Sequence, residues 1–367
     1  MSLLEELRAI RTTTALCDAS HVVTLRVGGA AAFATLDRIC PAALALQDTQ
    51  LRPTVLLRED GTVFADAYVA RDDERYFLIC EGPSPAELEA WVRKHAVGTE
   101  LQLERLDQSH QLLSLHGPWA WDLLAAVLGA DVIGMPYLSF LRADGGTICF
   151  RAGKTGEFGY ELLIPNAEVA AVRADLSKHG PKWELATVSL EALDRCALEN
   201  WFFNIRNEGK AGLSPVELGL QWRLSPGKDY VGSAAVKNFK LQKRLTCVIA
   251  ERAIAVGDAV LLEGEEIGKV VSAGESYTLG KWVGAALLEL ALAVPGVGRL
   301  TIAGSPARTT SPPVINNRSL YVSPQRHTWA DRNAAEFPPL VTPLSPPHST
   351  TELPLPEGER VGERALK

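Results

Sequence analysis

The sequence predicts an α+β protein made of duplicated ferredoxin-like units followed by a small C-terminal β-barrel. Three observations carry that prediction. Residues 20–95 and 111–179 follow one plan: an apolar strand, a glycine stop, an amphipathic helix, further strands and a second helix. After Lys243 the texture changes to short apolar runs separated by glycines, the spacing of a small barrel. The chain has 367 residues, 47% of them apolar, which is length and core material enough for two or three domains.

Residues 2–14 read as a helix. HVVTLRV, starting at His21, alternates like a strand and stops at Gly28-Gly29, and residues 30–39 form the first amphipathic helix. Residues 54–58, 62–70 and 76–80 read as strands, with Asp60-Gly61 as the turn between the first two. Ser84-Pro85-Ala86-Glu87 offers an N-cap, a proline at the first helical position and a glutamate to close a capping box. The second unit repeats the plan. QLLSLHG, starting at Gln111, is its strand and glycine stop, 118–128 its helix, and 137–142, 147–151 and 160–164 its strands. Asp144-Gly145-Gly146 is the turn, and Asn166 opens the closing helix. Residues 185–208 read as helical and 222–240 as mixed. The apolar runs LTCVIAE, DAVLLEG, IGKVVSAG, WVGAALLE and GRLTIAG supply the barrel. The predicted division is 1–18 with 111–235, 19–110, a barrel domain over 240–341, and a Pro-rich, poorly ordered tail over 342–367.

Composition narrows the function. A net charge of -7 argues against a nucleic-acid surface, which needs dense Lys and Arg. The most apolar run, 282–294, contains Glu289 and is followed by Pro295, so it reads as a barrel strand rather than a membrane span. The N-terminus reads as a helix start and not a signal peptide. Six scattered cysteines without a C-x-x-C pair read as buried, reduced thiols of a cytoplasmic protein. The histidines lack metal-ligand spacing, so no metal site is expected. No heptad run sets an oligomeric state.

The strongest chemical signal is RAGKTGEFGYELLIP, residues 151–165. Gly153, Gly156 and Gly159 fall three apart, which permits a sharp backbone path and close approach to a ligand. A strand follows rather than a crossover helix, so this is not a dinucleotide loop. Glu157 and Glu161 offer carboxylates that can accept two parallel N–H bonds from the edge of a flat heterocycle. Solvated glutamates beside a turn would produce the same pattern.

The segment resembles the R-x-G-Y-T-G-E-x-G-x-E-[IL] signature of the aminomethyltransferase family, the folate-binding T-protein of the glycine cleavage system. Other pieces follow in that family's order. ALCDASHVVTLRVGG from Ala15 resembles its L-F-D-x-S-H entry, and EDGTVFADAYV from Glu59 its D-G-G-I-x-D-D segment. LSLHGPWA from Leu113 resembles its L-x-L-Q-G-P, and SPVELGLQWRLSPGKDYVG from Ser214 its P-x-E-x-G-L-x-W…K-x-F-x-G. EIGKVVSAGESYTLGK from Glu266 resembles its G-x-V-T-S-G-x-x-S-P-x-L-G-K. The resemblance covers about residues 10–300.

The resemblance implies a three-domain cloverleaf around a central cavity that holds tetrahydrofolate, or its 5-methyl or 5,10-methylene form. It implies Asp66 as the catalytic carboxylate and Glu161 as the residue at the pterin edge. Tyr137 and Phe140 fall where the family's folate is flanked by an apolar wall, and flat rings suit a pterin by stacking, though a place in the core would give the same pattern; Trp222 falls at the family's G-L-x-W tryptophan, where a structural role at the domain seam serves as well as a ligand contact. Glu81 stands where the family has an asparagine, Lys154 where it has the signature tyrosine, and Ala197 where it often has an arginine, with Arg195 and Arg206 nearby as replacements. The family's N-terminal F-x-G-W-x-x-P segment is not matched. The activity implied is tetrahydrofolate-dependent one-carbon transfer, methyl transfer or demethylation, to or from a small-molecule donor or acceptor. One alternative is the aminomethyltransferase reaction itself, with a lipoylated carrier protein. The other is a non-catalytic folate-binding accessory protein. Such proteins carry K-G-C-Y-x-G-Q-E where this chain has PGKDYVGSA from Pro226.

Overall fold

The computed structural model describes residues 1–333 and 337–341; the tail predicted over 342–367 lies outside the described residues. Helix α1 (Leu3–Thr12) opens with a capping box between Ser2 and Glu5, and strand β1 (Thr14–Asp18) follows it. The first unit runs β2 (Val23–Gly28), α2 (Ala32–Ile39), β3 (Leu51–Leu57), β4 (Val63–Asp72), β5 (Arg75–Glu81), α3 (Pro85–Lys94) and β6 (Gln102–Arg105). The second runs β7 (His110–His116), α4 (Ala120–Leu128), β8 (Phe140–Arg142), β9 (Ile148–Phe150), β10 (Gly159–Pro165), α5 (Val169–His179) and β11 (Leu185–Thr187). Then come α6 (Leu190–Asn200) and the short α7 (Ser233–Lys237). The closed barrel is β12 (Lys243–Ala250), β13 (Ala259–Leu262), β14 (Glu265–Ser276), β15 (Lys281–Glu289), β16 (Leu300–Ile302) and β17 (Ser305–Thr309).

The duplication is visible in the strand order. The first sheet is β3-β4-β5-β2-β6 and the second is β8-β9-β10-β7-β1-β11. Strand β1, arriving from the N-terminus, pairs antiparallel with β7 as β6 pairs with β2. Alternation along the strands decides what each face does. Leu78 and Val69 pack with Leu36, Ile39, Leu88 and Val92 of the covering helices. Their neighbours Phe77, Ile79 and Ala70 point the other way and meet Leu112, Phe140, Phe150 and Leu163 of the second sheet. The two sheets therefore pack inner face to inner face. Phe77 sits edge-on to Phe140 and Phe150, with centroids 5.8 and 5.5 Å away. The barrel has its own filling and shares a second core with the rest. There Val55, Leu57 and Val63 meet Leu198 and Phe203, and Leu245, Cys247 and Ala285 from the barrel.

Several boundaries differ from the sequence reading. The helix expected over 2–14 stops at Thr12, because 14–18 pairs with β7 and β11 as a strand. The helix expected over 185–208 is only α6. Ser189 caps its start by accepting from Ala192 N, and Trp201, at φ 63°, ends it. The strand expected over 137–142 begins at Phe140, since Leu138 at φ 59° interrupts the extended backbone. After β17 the chain leaves the barrel, and Val322 and Trp329 enter the core of the second unit beside Trp119.

Candidate active site

Where the facing sheets open toward α6, they leave a cleft between them. Asp66, Glu81 and Glu161 all line it. Each stands on an inner face for a reason the strand pattern dictates. Asp66 and Tyr68 share the face of Ala70 on β4, and Asp66 lies directly across from Glu81 on β5. Glu161 on β10 lies across from Ser114 on β7 and Phe150 on β9.

Glu161 is half satisfied. Ser114 Oγ donates to its Oε1 at 2.8 Å, and its Oε2 is buried without a partner. A buried acceptor left open is costly unless a ligand completes it. Burial pushes the Glu161 carboxyl up to about 7, the Ser114 hydrogen bond opposes that, and the charge of Glu81 adds to it. Ser114 also contacts Nε2 of His116, whose ring is held neutral because burial lowers its pKa to about 4.

Asp66 is 2% exposed and has a cation on each oxygen. Arg223 donates to Oδ1, and Lys154 Nζ lies 2.6 Å from Oδ2. Lys154 also donates to Glu81 Oε1 at 2.6 Å, and Arg206 pairs with the other oxygen of Glu81 and with Asp194 of α6. The result is one chain of alternating charge: Arg223, Asp66, Lys154, Glu81, Arg206, Asp194. Burial works against the Lys154 ammonium, but contact with Asp66 and Glu81 outweighs it and makes it a firmer cation than a free lysine. Burial alone would raise Glu81; Lys154 and Arg206 instead pull it down to about 2.

The loop between β9 and β10 delivers Lys154 across the seam. Gly156, at φ 82°, passes so close to Asn200 that a Cβ would lie 2.4 Å from Asn200 Oδ1. A Cβ on Gly159 would lie 2.6 Å from the carbonyl of Ala152. Glu157 does not reach the cleft. It accepts from Arg318 N, Ser319 N and Ser319 Oγ, with Arg11 3.8 Å away, and so ties the loop to the segment after the barrel.

A second chamber adjoins the first, with Tyr68 lining both. Tyr137, Trp222 and Arg223 line it. Tyr137 and Trp222 are 58% and 65% exposed, and the Arg223 guanidinium stacks 4.9 Å over the Trp222 ring. Arg223 Nε is buried without a hydrogen-bond partner.

Of the residues expected from sequence, Asp66, Glu81 and Glu161 meet in the first cleft, and Tyr137 and Trp222 in the second. Two others lie elsewhere. Phe140 is 3% exposed and faces Phe77 and Phe150, because alternation on the short strand β8 turns it into the inter-sheet core. Arg195 lies against β14, bonded to Glu191 and the carbonyl of Ala273, and Arg206 reaches the cleft instead. Sequence reasoning missed Tyr68, Ser114 and His116 as site residues. Strand alternation was the available signal: Tyr68 is two residues from Asp66, and His116 two from Ser114.

Among the described residues no group of His, Cys, Asp and Glu is placed to hold a metal ion, and no helix is long and apolar enough to cross a membrane. The family model of the GCVT N-terminal domain matches residues 1–228, and that of the Glycine cleavage T-protein C-terminal barrel domain matches residues 243–314. Aminomethyltransferase of Thermotoga neapolitana is 29% identical over 297 residues, covering 78% of this chain and 82% of the relative. Aminomethyltransferase of Chloroherpeton thalassium is 30% identical over 297 residues, covering 77% and 81%. In fold, the chain is similar to glycine cleavage system aminomethyltransferase T from Bartonella henselae. The TM-score is 0.76 at 24% identity, covering 85% of this chain and 89% of that one.

Proposed function

The chain belongs to the glycine cleavage T-protein family, with both its N-terminal and its barrel domain present, and from that premise we propose that it is a tetrahydrofolate-dependent one-carbon transferase. The observation that carries the reading is the shared cleft. Glu161, with one carboxylate oxygen open, and Asp66, on the facing sheet, line a single cavity. The family uses tetrahydrofolate; the assignment of each residue to a part of it is our inference. Glu161 accepts the paired N–H donors of the pterin edge. Asp66 stands where the folate carries its transferred carbon and steers the proton that moves as the carbon–nitrogen bond forms or breaks. Tyr68 marks the boundary between the chambers, and Tyr137, Trp222 and Arg223 take the benzoyl-glutamate half of the folate by stacking and charge. Folate supplies the one-carbon chemistry; the chain binds it, orients it and keeps water from the reacting nitrogen.

The transferred unit is a methyl group in the reading we favour, exchanged with a small molecule. Aminomethyl transfer with a lipoyl-carrying partner is the second reading, supported by the name its relatives carry. Calorimetry with tetrahydrofolate tests the shared premise. Saturable binding by the wild-type protein, lost in Glu161→Ala, is expected. No heat with either protein at millimolar ligand would end the proposal. A glycine cleavage assay with lipoylated carrier separates the two reactions, and turnover there would select the second.

A further inference from the structure

Three departures from the family pattern meet in one place. Lys154 stands at the signature tyrosine, Glu81 at the asparagine and Ala197 at the arginine, and all three line the cleft together with Arg206. Here Lys154 bonds Glu81, Arg206 bonds Glu81, and Lys154 is 2.6 Å from Asp66. Glu81 keeps the ammonium from swinging away, and Asp194 keeps Arg206 in place. Tyr68 and His21 complete the wall around this group.

This arrangement alters what Asp66 can do. A lone carboxylate beside the folate bridge attracts positive charge at that position. In this chain the carboxylate is already shared by Lys154 and Arg223. A further cation at the bridge nitrogens would find both oxygens of Asp66 already held, with the Lys154 ammonium the nearer neighbour, so it would lose the attraction a lone carboxylate offers, and a neutral group would not.

We propose that Lys154 is the specificity-determining residue of this cleft: it admits a folate whose one-carbon unit is neutral, such as 5-methyl, and rejects one whose unit is cationic, such as 5,10-methenyl or an open iminium. The inference rests on the folate reading above and names the substrate class for it. The matching chemistry is methyl transfer. The bond from a donor heteroatom to its methyl carbon breaks with the electron pair left on the heteroatom. The N5 lone pair forms the new bond as the N5 proton departs, so no lasting positive charge gathers on N5, and that proton ends on the released heteroatom. The exchange needs neither oxidant nor reductant, and the donor is a methyl compound, not a carrier of a methylene-amine.

The test is calorimetric titration of the full chain with 5-methyltetrahydrofolate and with 5,10-methenyltetrahydrofolate, at the mildly acidic pH where the methenyl cation resists hydrolysis. The wild-type protein is expected to bind the methyl form at least about tenfold more tightly. Lys154→Arg keeps that preference, and Lys154→Met removes it by tightening the methenyl complex. Lys154→Met leaves Glu81 and Asp66 short of a cation, so Glu81→Gln/Lys154→Met, which removes one charge of each sign, is read beside it. Equal affinities in the wild type overturn the inference, and so does a preference that survives in both Lys154→Met and the double variant. If neither folate binds the wild-type protein, the folate reading itself has failed and this inference falls with it.

Discussion

Glu161 has one oxygen bonded to Ser114 and the other bonded to nothing, inside a cleft that pushes its carboxyl up to about 7. The ionised form is the one that accepts two N–H donors, so tetrahydrofolate affinity rises with pH up to about 7 and then levels off. Calorimetry in buffers of different ionisation heat detects the proton released on binding below that point. Glu161→Gln abolishes the pH slope and weakens binding by about 3 kcal/mol, on the order of a hundredfold, the worth of two charge-assisted hydrogen bonds. For the apo protein the sign is also set. The folded-state pKa lies above the unfolded one, so Glu161 contributes stability at low pH. That contribution is lost as pH rises from the ordinary carboxylate range to about 7. At Asp66 the expectation differs. Asp66→Asn is isosteric but leaves Lys154 and Arg223 without their shared carboxylate, so it lowers stability as well as the transfer rate, the latter by about 10²–10⁴-fold, the usual worth of a placed acid–base group. A single-turnover assay separates this from an effect on binding.

The loop between β9 and β10 is the element that turns the fold into a site. It carries Lys154 to the first sheet at one point and is tied down at another. Arg11 of α1 donates to the carbonyl of Thr155 and to Glu199 of α6, and Glu157 holds the segment after the barrel. Arg11→Met strands Glu199 and Glu157 as buried carboxylates and costs about 3–5 kcal/mol of stability, read as a lower urea midpoint. Unchanged stability would show that the loop is held by packing alone. How much could be read in advance also differs by element. The two units were legible because alternation and glycine stops recur at matching places, as in HVVTLRVGG and LLSLHG. That Asp66 and Glu161 line one cleft was legible through the motifs around them. Strands β6 and β11 were not, having too few residues to show a period. The pairing of Lys154 with Glu81 joins positions 73 apart in the chain, and nothing local to either residue announces it. Phe140 misled because an aromatic beside a ligand wall and one in a sheet seam have the same local pattern.

In the whole molecule, no layer is complete by itself. The inter-sheet core needs both units, and the core around Leu245 and Ala285 joins the barrel to β3, β4 and α6. The cleft is built from the first unit, the second unit and α6 together. Scanning calorimetry is therefore expected to give one unfolding transition, raised as a unit by tetrahydrofolate, by about 2.7 kcal/mol at a ligand concentration a hundredfold above Kd. A barrel transition separate from the rest and indifferent to ligand would mean that the shared core does not couple them. The most direct measurement is a crystal structure of the protein soaked with tetrahydrofolate. The pterin edge is predicted within hydrogen-bonding distance of Glu161 Oε2, with the bridge nitrogens beside Asp66. A pterin seated outside this cleft, or turned with its edge away from Glu161, would contradict the account.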